Sequence, residues 1–201
     1  MIPKLFHFIW LGSDLPELTK NYINSFERHN PDYSIHIWNE KNTKEILEIH
    51  PQLLELYNKS KLFCQKADIL RLIILYEFGG FYIDADVDCL KSFDTLLDNK
   101  FVIGEQQYQP PDKRFMYCNA IMGSVKNSNF MVNCINNIPF YMDKDRTSGG
   151  PKFLTTMIFK YRGICDITTL SRKTFYPFMW WERQNYNPNI NAYTNHYWWG
   201  N

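Results

Sequence analysis

The sequence predicts an α/β sandwich with a mainly parallel central sheet flanked by helices. Short strand-like runs alternate with helix-periodic segments along most of the chain. The 201 residues suit one domain, 1–201, and no linker-like stretch divides them. A cluster of carboxylates closes one strand-like run, the place where open α/β sheets bind ligands.

Residues 5–10 read as the first strand, ended by Gly12-Ser13-Asp14. Pro16 opens a helix running to about Arg28, with Tyr22, Ile23 and Phe26 on its apolar face. Asn30-Pro31-Asp32 is a turn, and residues 33–38 alternate as a second strand. Thr43 caps a short helix, and residues 51–58 predict another. Residues 62–78 form a mostly apolar helix stopped by Gly79-Gly80, and residues 81–83 make the strand that leads into the carboxylates. Residues 101–104, 118–122 and 166–169 predict further strands. Asn129–Asn137 and Pro151–Tyr161 predict helices, the second following Gly149-Gly150. The tail from Phe175, rich in Trp, Tyr and Asn, reads as irregular.

The chemistry is concentrated in Gly79-Gly80-Phe81-Tyr82-Ile83-Asp84-Ala85-Asp86-Val87-Asp88. Alternate residues of a strand share a face, so Asp84, Asp86 and Asp88 are expected to cluster. Three like charges repel unless a cation neutralises them. Mg²⁺ and Mn²⁺ prefer carboxylate oxygen and bridge it to substrate phosphates, so Asp-x-Asp at a strand end points to a metal–diphosphate site. Asp88 reads either as a support behind the ligands or as solvated. Asp68 and Arg71, three apart, share a face of the apolar helix, either as a local ion pair or as buried charges that need a ligand.

A net charge of +1 without a long charge run excludes an electrostatic nucleic-acid footprint. The longest apolar run, near Ile69–Tyr76, is broken by Arg71 and followed by Glu77, so no segment of about 20 apolar residues spans a membrane. No signal-peptide pattern opens the chain. Five cysteines without a close pair read as reduced structural thiols, and Asn58-Lys59-Ser60 is a formal sequon of no weight. The expected setting is therefore cytoplasmic, and few alanines beside many asparagines suggest a bacterial or large-DNA-virus genome.

Several segments together resemble the sugar transferases that carry an Asp-x-Asp motif, a family that includes fungal Golgi mannosyltransferases and bacterial capsular-polysaccharide enzymes, with the large glucosylating toxins more distant. They are residues 2–12 (Ile-Pro-Lys-Leu-Phe-His-Phe-Ile-Trp-Leu-Gly), Pro31-Asp32-Tyr33 with Trp38-Asn39, Ala67-Asp68-Ile69-Leu70-Arg71, residues 79–86 and His196-Tyr197-Trp198. The likeness is close over residues 2–126 and loose beyond. It implies a GT-A nucleotide-sugar fold, a Mn²⁺ or Mg²⁺ ion, a nucleoside-diphosphate sugar donor and a glycan acceptor. The chain ends at Asn201 where that family usually continues, as expected of a first domain of a longer protein.

The resemblance makes Asp86 the direct metal ligand, with Asp84 placed near the ribose and donor sugar and reaching the metal directly or through water. It has Asp68 accept from donor-sugar hydroxyls and Arg71 bring positive charge to the scissile bond. Trp10 reads as a core aromatic or, by the matching segment, as a stack for the nucleobase, with Gly12 letting the backbone approach. Tyr82, in phase with Asp84, faces the site, whereas His7 reads as a satisfied core histidine. His196 is expected to complete the metal shell and Trp198 to close over the donor. Glu105 and Asn119 read equally as acceptor or donor contacts or as structure. A UDP-sugar is favoured, with retention of configuration and Glu105 positioning rather than deprotonating the acceptor. Two further readings compete: an aspartyl-phosphate (haloacid-dehalogenase-like) phosphohydrolase, whose late acidic pair would be Asp143 and Asp145, and an inactive sugar-binding module. A calcium loop fails because Cys89 and Thr95 stand where glycine and glutamate are needed.

Overall fold

The structure is a computed structural model that describes residues 1–107, 115–142, 149–185 and 191–199. In chain order its elements are β1 (Leu5–Ile9), α1 (Glu17–His29), β2 (Ser34–Trp38), α2 (Lys44–Glu48), α3 (Pro51–Lys59), α4 (Phe63–Phe78), β3 (Gly80–Ile83), β4 (Val87–Cys89), β5 (Phe101–Gln107), β6 (Phe115–Ser124), α5 (Asn129–Asn137), α6 (Pro151–Tyr161), β7 (Thr168–Leu170), α7 (Arg172–Phe175) and β8 (Thr194–His196). The main sheet has the order β2-β1-β3-β6-β5-β7. β2, β1 and β3 run parallel, β6 is antiparallel to both its neighbours, and β7 is parallel to β5. One strand therefore opposes the others, and the mainly parallel sheet expected from the sequence is the one observed.

Alternation along β1 divides the core. His7 and Ile9 face one side, where α4, α5 and α6 pack through residues such as Ile69, Ile73, Phe130 and Phe153. Phe6 and Phe8 face the other, among Phe26 of α1, Phe81, Phe93 and Tyr176. α4 is apolar nearly all round because it lies between the sheet and other helices, and every residue from Asp68 to Leu75 is buried. That burial gives Asp68 and Arg71 their significance. His7 is a satisfied core residue: its Nε2–H donates to the Gly79 carbonyl at 2.8 Å and its Nδ1 accepts from the Trp38 indole at 3.1 Å. Burial pushes its pKa down to about 4.

Gly79 and Gly80 take φ of 66° and 89°, and a Cβ on Gly80 would stand 2.5 Å from the Leu5 carbonyl oxygen. Only glycine lets β3 start this close to β1. Three parts of the structure differ from the sequence reading. β6 is ten residues long rather than five. The segment after Asp86 forms β4, and the tail read as irregular supplies β8, which pairs with β4 in a small antiparallel sheet. All five cysteines are free thiols. Among the described residues no helix is long and apolar enough to cross a membrane. Asp143 and Asp145 lie outside the described residues.

Candidate active site

β3 ends at Ile83, so Asp84 and Asp86 stand on the turn between β3 and β4, at the carboxyl edge of the sheet. The turn breaks the expected alternation. Asp88 lies within β4, opposite Asn195, and outside the acidic group. His196 takes its place: β8 pairs Val87 with His196, and ligand atoms of Asp84, Asp86 and His196 all lie within 4.8 Å of one another.

Asp86 is 7% exposed. Its Oδ1 lies 3.1 Å from His196 Nε2, and its Oδ2 accepts the Trp199 backbone N–H at 2.6 Å. Burial alone would raise the Asp86 carboxyl, but His196 and the Trp199 amide outweigh it and hold the group below its ordinary value. At Trp198 the backbone takes φ 57°, a conformation bulky residues rarely adopt, just before the amide that caps Asp86. His196 Nδ1 is buried without a hydrogen-bond partner. Two carboxylates and an imidazole with ligand atoms this close are a donor set that fits Mn²⁺ or Mg²⁺.

Behind this trio sits a buried charge network. Arg71 donates from one terminal nitrogen to Asp84 Oδ1 at 3.2 Å and to the Asn119 carbonyl at 2.7 Å, and pairs through the other with Asp68 Oδ1 at 3.1 Å. Its guanidinium also lies 4.4 Å from the Tyr82 ring centroid, and the Tyr82 hydroxyl donates to Asp84 Oδ1 at 2.6 Å. Two anions and a ring face overcome burial and raise the Arg71 pKa, so the cation is permanent. Asp68 accepts from Asn119 Nδ2 at 2.7 Å. Burial pushes Asp68 up to about 6, because Arg71 shares its charge with Asp84 and offsets only part of the cost.

The trio lines one wall of a cavity of about 440 Å³. Asn119, Gln106, Lys152, Trp180 and Trp199 contribute other walls. Trp198 also lines it, but it is 2% exposed, bonds its indole N–H to the Phe178 carbonyl at 3.0 Å and packs against His196 with ring centroids 4.0 Å apart. Trp199, 42% exposed, is the aromatic that reaches solvent. Trp10 lies instead on a separate cavity of about 430 Å³ with Gly12, Asn39 and Glu40. Glu105 is directed away from the metal trio: it lines a third cavity with Ser171 and Lys173, while its neighbour Gln106 lines both.

Gln106, Lys152, Trp180 and Trp199 are among the lining residues that sequence reasoning missed. One signal was available, in Gly149-Gly150-Pro151. A Cβ on Gly150 would stand 3.2 Å from Asn119 Nδ2 and 3.4 Å from Asp68 Oδ2, so the glycine lets the start of α6 close onto Asp68.

Residues 16–103 match the family model described as a glycosyltransferase sugar-binding region containing DXD motif. Inositol phosphoceramide mannosyltransferase 3 of Schizosaccharomyces pombe is 27% identical over 173 residues, covering 82% of this chain and 47% of its own length. An uncharacterized glycosyltransferase of Acanthamoeba polyphaga mimivirus is 30% identical over 131 residues, 63% of this chain and 51% of its own. The chain thus spans about half the length of these relatives. Among solved structures, the PaToxG glycosyltransferase matches with a TM-score of 0.65 at 22% identity, covering 81% of this chain and 70% of that one. The UDP-bound glycosyltransferase domain of the YGT toxin matches with 0.63 at 12% identity, covering 84% and 79%. The fold is GT-A.

Proposed function

We propose that this chain is a glycosyltransferase of the kind whose sugar-binding region contains a DXD motif, and that it moves a sugar from a UDP-sugar to a glycan acceptor. The observation that carries this reading is the convergence of Asp84, Asp86 and His196 within 4.8 Å beside a buried Arg71 at the edge of a cavity. In this reading residues 1–201 act as one catalytic domain. Asp84, Asp86 and His196 hold Mn²⁺ or Mg²⁺, which when bound supplies Lewis-acid neutralisation of the departing diphosphate. Arg71 adds a fixed positive charge, and Tyr82 orients Asp84 through its hydroxyl. Asp68, held by Asn119, accepts from donor-sugar hydroxyls. Trp10 and Gly12, on their own cavity, take the nucleobase. Trp198 backs His196 on the donor side of the site. A UDP donor is favoured because a UDP-bound structure shares the fold.

Retention is the favoured outcome. Among the described residues lining the main cavity, the carboxylates are Asp84 and Asp86, both committed to the metal, and Glu105 lines another cavity. With no separate base there, the departing phosphate takes the acceptor proton, a route that retains configuration. The setting we favour is the cytoplasm of a bacterium or of a host infected by a large DNA virus, in keeping with the mimivirus relative. The direct test is slow hydrolysis of UDP- and GDP-sugars by the purified chain, with Mn²⁺ or with EDTA. Mn²⁺-dependent release of UDP is expected. Turnover in EDTA, or no turnover and no calorimetric binding of any nucleotide sugar, would overturn the reading.

A further inference from the structure

The C-terminal segment reaches the metal trio by a short path that its own strand does not hold to the end. β8 has three residues, and three pairs with β4 fix it as far as His196. Tyr197 still follows β4, its N–H donating to the Asp86 carbonyl at 3.0 Å. At Trp198 the backbone then turns through φ 57°, and the Trp199 N–H comes back onto Asp86 Oδ2 at 2.6 Å. A left-handed conformation at a bulky residue costs free energy and persists only where the surroundings hold it. The pairing with β4 ends before Trp198, so the hold comes from elsewhere. The Trp198 indole is anchored on the Phe178 carbonyl at 3.0 Å, which leaves Trp199 to be fixed by its own contacts.

α1 supplies them. Ile23 and Phe26 enter the core, whereas Tyr22 stays half-buried and meets the C-terminal segment. Its ring stacks on that of Tyr197, with centroids 4.9 Å apart and planes 15° from parallel, and lies 5.7 Å from the Trp199 ring. Among the described residues this is the one aromatic contact of Trp199. Three positions along, on the same face of α1, Ser25 Oγ accepts the Cys89 N–H at 2.8 Å and fixes the far end of β4. Tyr22 therefore grips the segment on both sides of Trp198, from a helix that is itself tied to β4. The ring does this work, since the Tyr22 hydroxyl makes no hydrogen bond among the described residues.

We propose that Tyr22 is a positioning residue for the metal centre: its ring holds the C-terminal segment so that the Trp199 N–H stays on Asp86 and His196 stays beside that carboxylate. The grip of α1 on the segment stands on the contacts above, whereas its effect on a metal ion rests on the metal centre proposed under the transferase reading.

The test is calorimetric titration of Mn²⁺, with UDP present, into wild type, Tyr22→Phe and Tyr22→Ala, together with amide hydrogen exchange of the metal-free proteins followed by NMR. Tyr22→Phe keeps the ring and should bind Mn²⁺ as the wild type does. Tyr22→Ala should weaken binding about tenfold, the usual effect of losing a group that orients a metal ligand. Without metal, Tyr22→Ala should speed exchange of the Trp199 N–H about tenfold and leave the amides of β1 and β3 at wild-type rates. Tyr22→Ala and Tyr197→Ala should be non-additive in Mn²⁺ affinity, because each breaks the same stack. Wild-type Mn²⁺ affinity in Tyr22→Ala, an equal loss in Tyr22→Phe, or additive losses in the pair would overturn the proposal. So would exchange that rises equally across β1 and β3, the mark of a general loss of structure. If the wild type takes up no Mn²⁺, the metal reading falls, and exchange at Trp199 alone decides whether Tyr22 holds the segment.

Discussion

Replacing Asp68 with asparagine should make the fold more stable above pH 6 while removing the carboxylate that we propose holds the donor sugar. Asp68 is 5% exposed and titrates at about 6 against an ordinary 3.8, chiefly through burial. A raised pKa in the folded state means stability that is complete below the unfolded value and is lost as pH rises through the folded one. For Asp68 the loss accumulates between pH 3.8 and about 6 and then levels off. At about 1.36 kcal/mol per pH unit, that gap is worth about 3 kcal/mol. Asp68→Asn keeps the shape and the Oδ1 acceptor used by Asn119 and Arg71, and it removes the titration. The assay is urea unfolding of wild type and variant from pH 4 to 8, read as a difference so that other groups cancel. Asp86 is one such group: its lowered pKa contributes stability with the opposite pH dependence, lost as pH falls. The variant should gain about 3 kcal/mol on the wild type across the window and bind UDP-sugar more weakly. A flat difference, or a wild type that gains on the variant with rising pH, would show that Arg71 outweighs burial and that the reasoning is wrong.

Gly80→Ala forces a left-handed φ on a residue with a Cβ and drives that Cβ onto the Leu5 carbonyl, so urea unfolding should show a loss on the order of 3 kcal/mol. Tyr82→Phe removes the hydroxyl that donates to Asp84, and the same measurement should show about 1 kcal/mol lost. Arg71→Lys keeps the charge but not the planar fork that joins Asp68, Asp84 and the Asn119 carbonyl; steady-state hydrolysis should fall about 100-fold, and urea unfolding should show a loss on the order of 2 kcal/mol.

The parts of the site that were legible in the sequence are those set by local pattern. Asp68 and Arg71 interrupt an otherwise apolar helix, so their burial and their need for partners followed from the run itself. Gly79-Gly80 and the apolar residues 81–83 placed Asp84 and Asp86 at a strand end for the same reason. What failed rested on extrapolating a period past its element. Carrying the strand alternation to Asp88 assumed an unbroken strand, but the chain turns at Ala85-Asp86 and β4 begins in a new direction. For Glu105 the sequence reading ends the strand at Gly104, whereas β5 runs on to Gln107 and Glu105 lines a cavity other than that of the trio. β8 was invisible because three residues carry no measurable period and their partner, β4, lies over a hundred residues earlier. The role of Trp199 depends on a backbone N–H, which no side-chain identity encodes.

The most direct measurement is calorimetric titration of Mn²⁺, in the presence of UDP, into wild type, Asp86→Asn, His196→Gln and Asp88→Asn. One equivalent should bind the wild type, and Asp86→Asn and His196→Gln should each weaken it at least about 10- to 100-fold. Asp88→Asn should match the wild type, since Asp88 lies outside the trio. Undiminished Mn²⁺ binding by Asp86→Asn, or a loss in Asp88→Asn as large as in Asp86→Asn, would contradict a metal centre built from Asp84, Asp86 and His196.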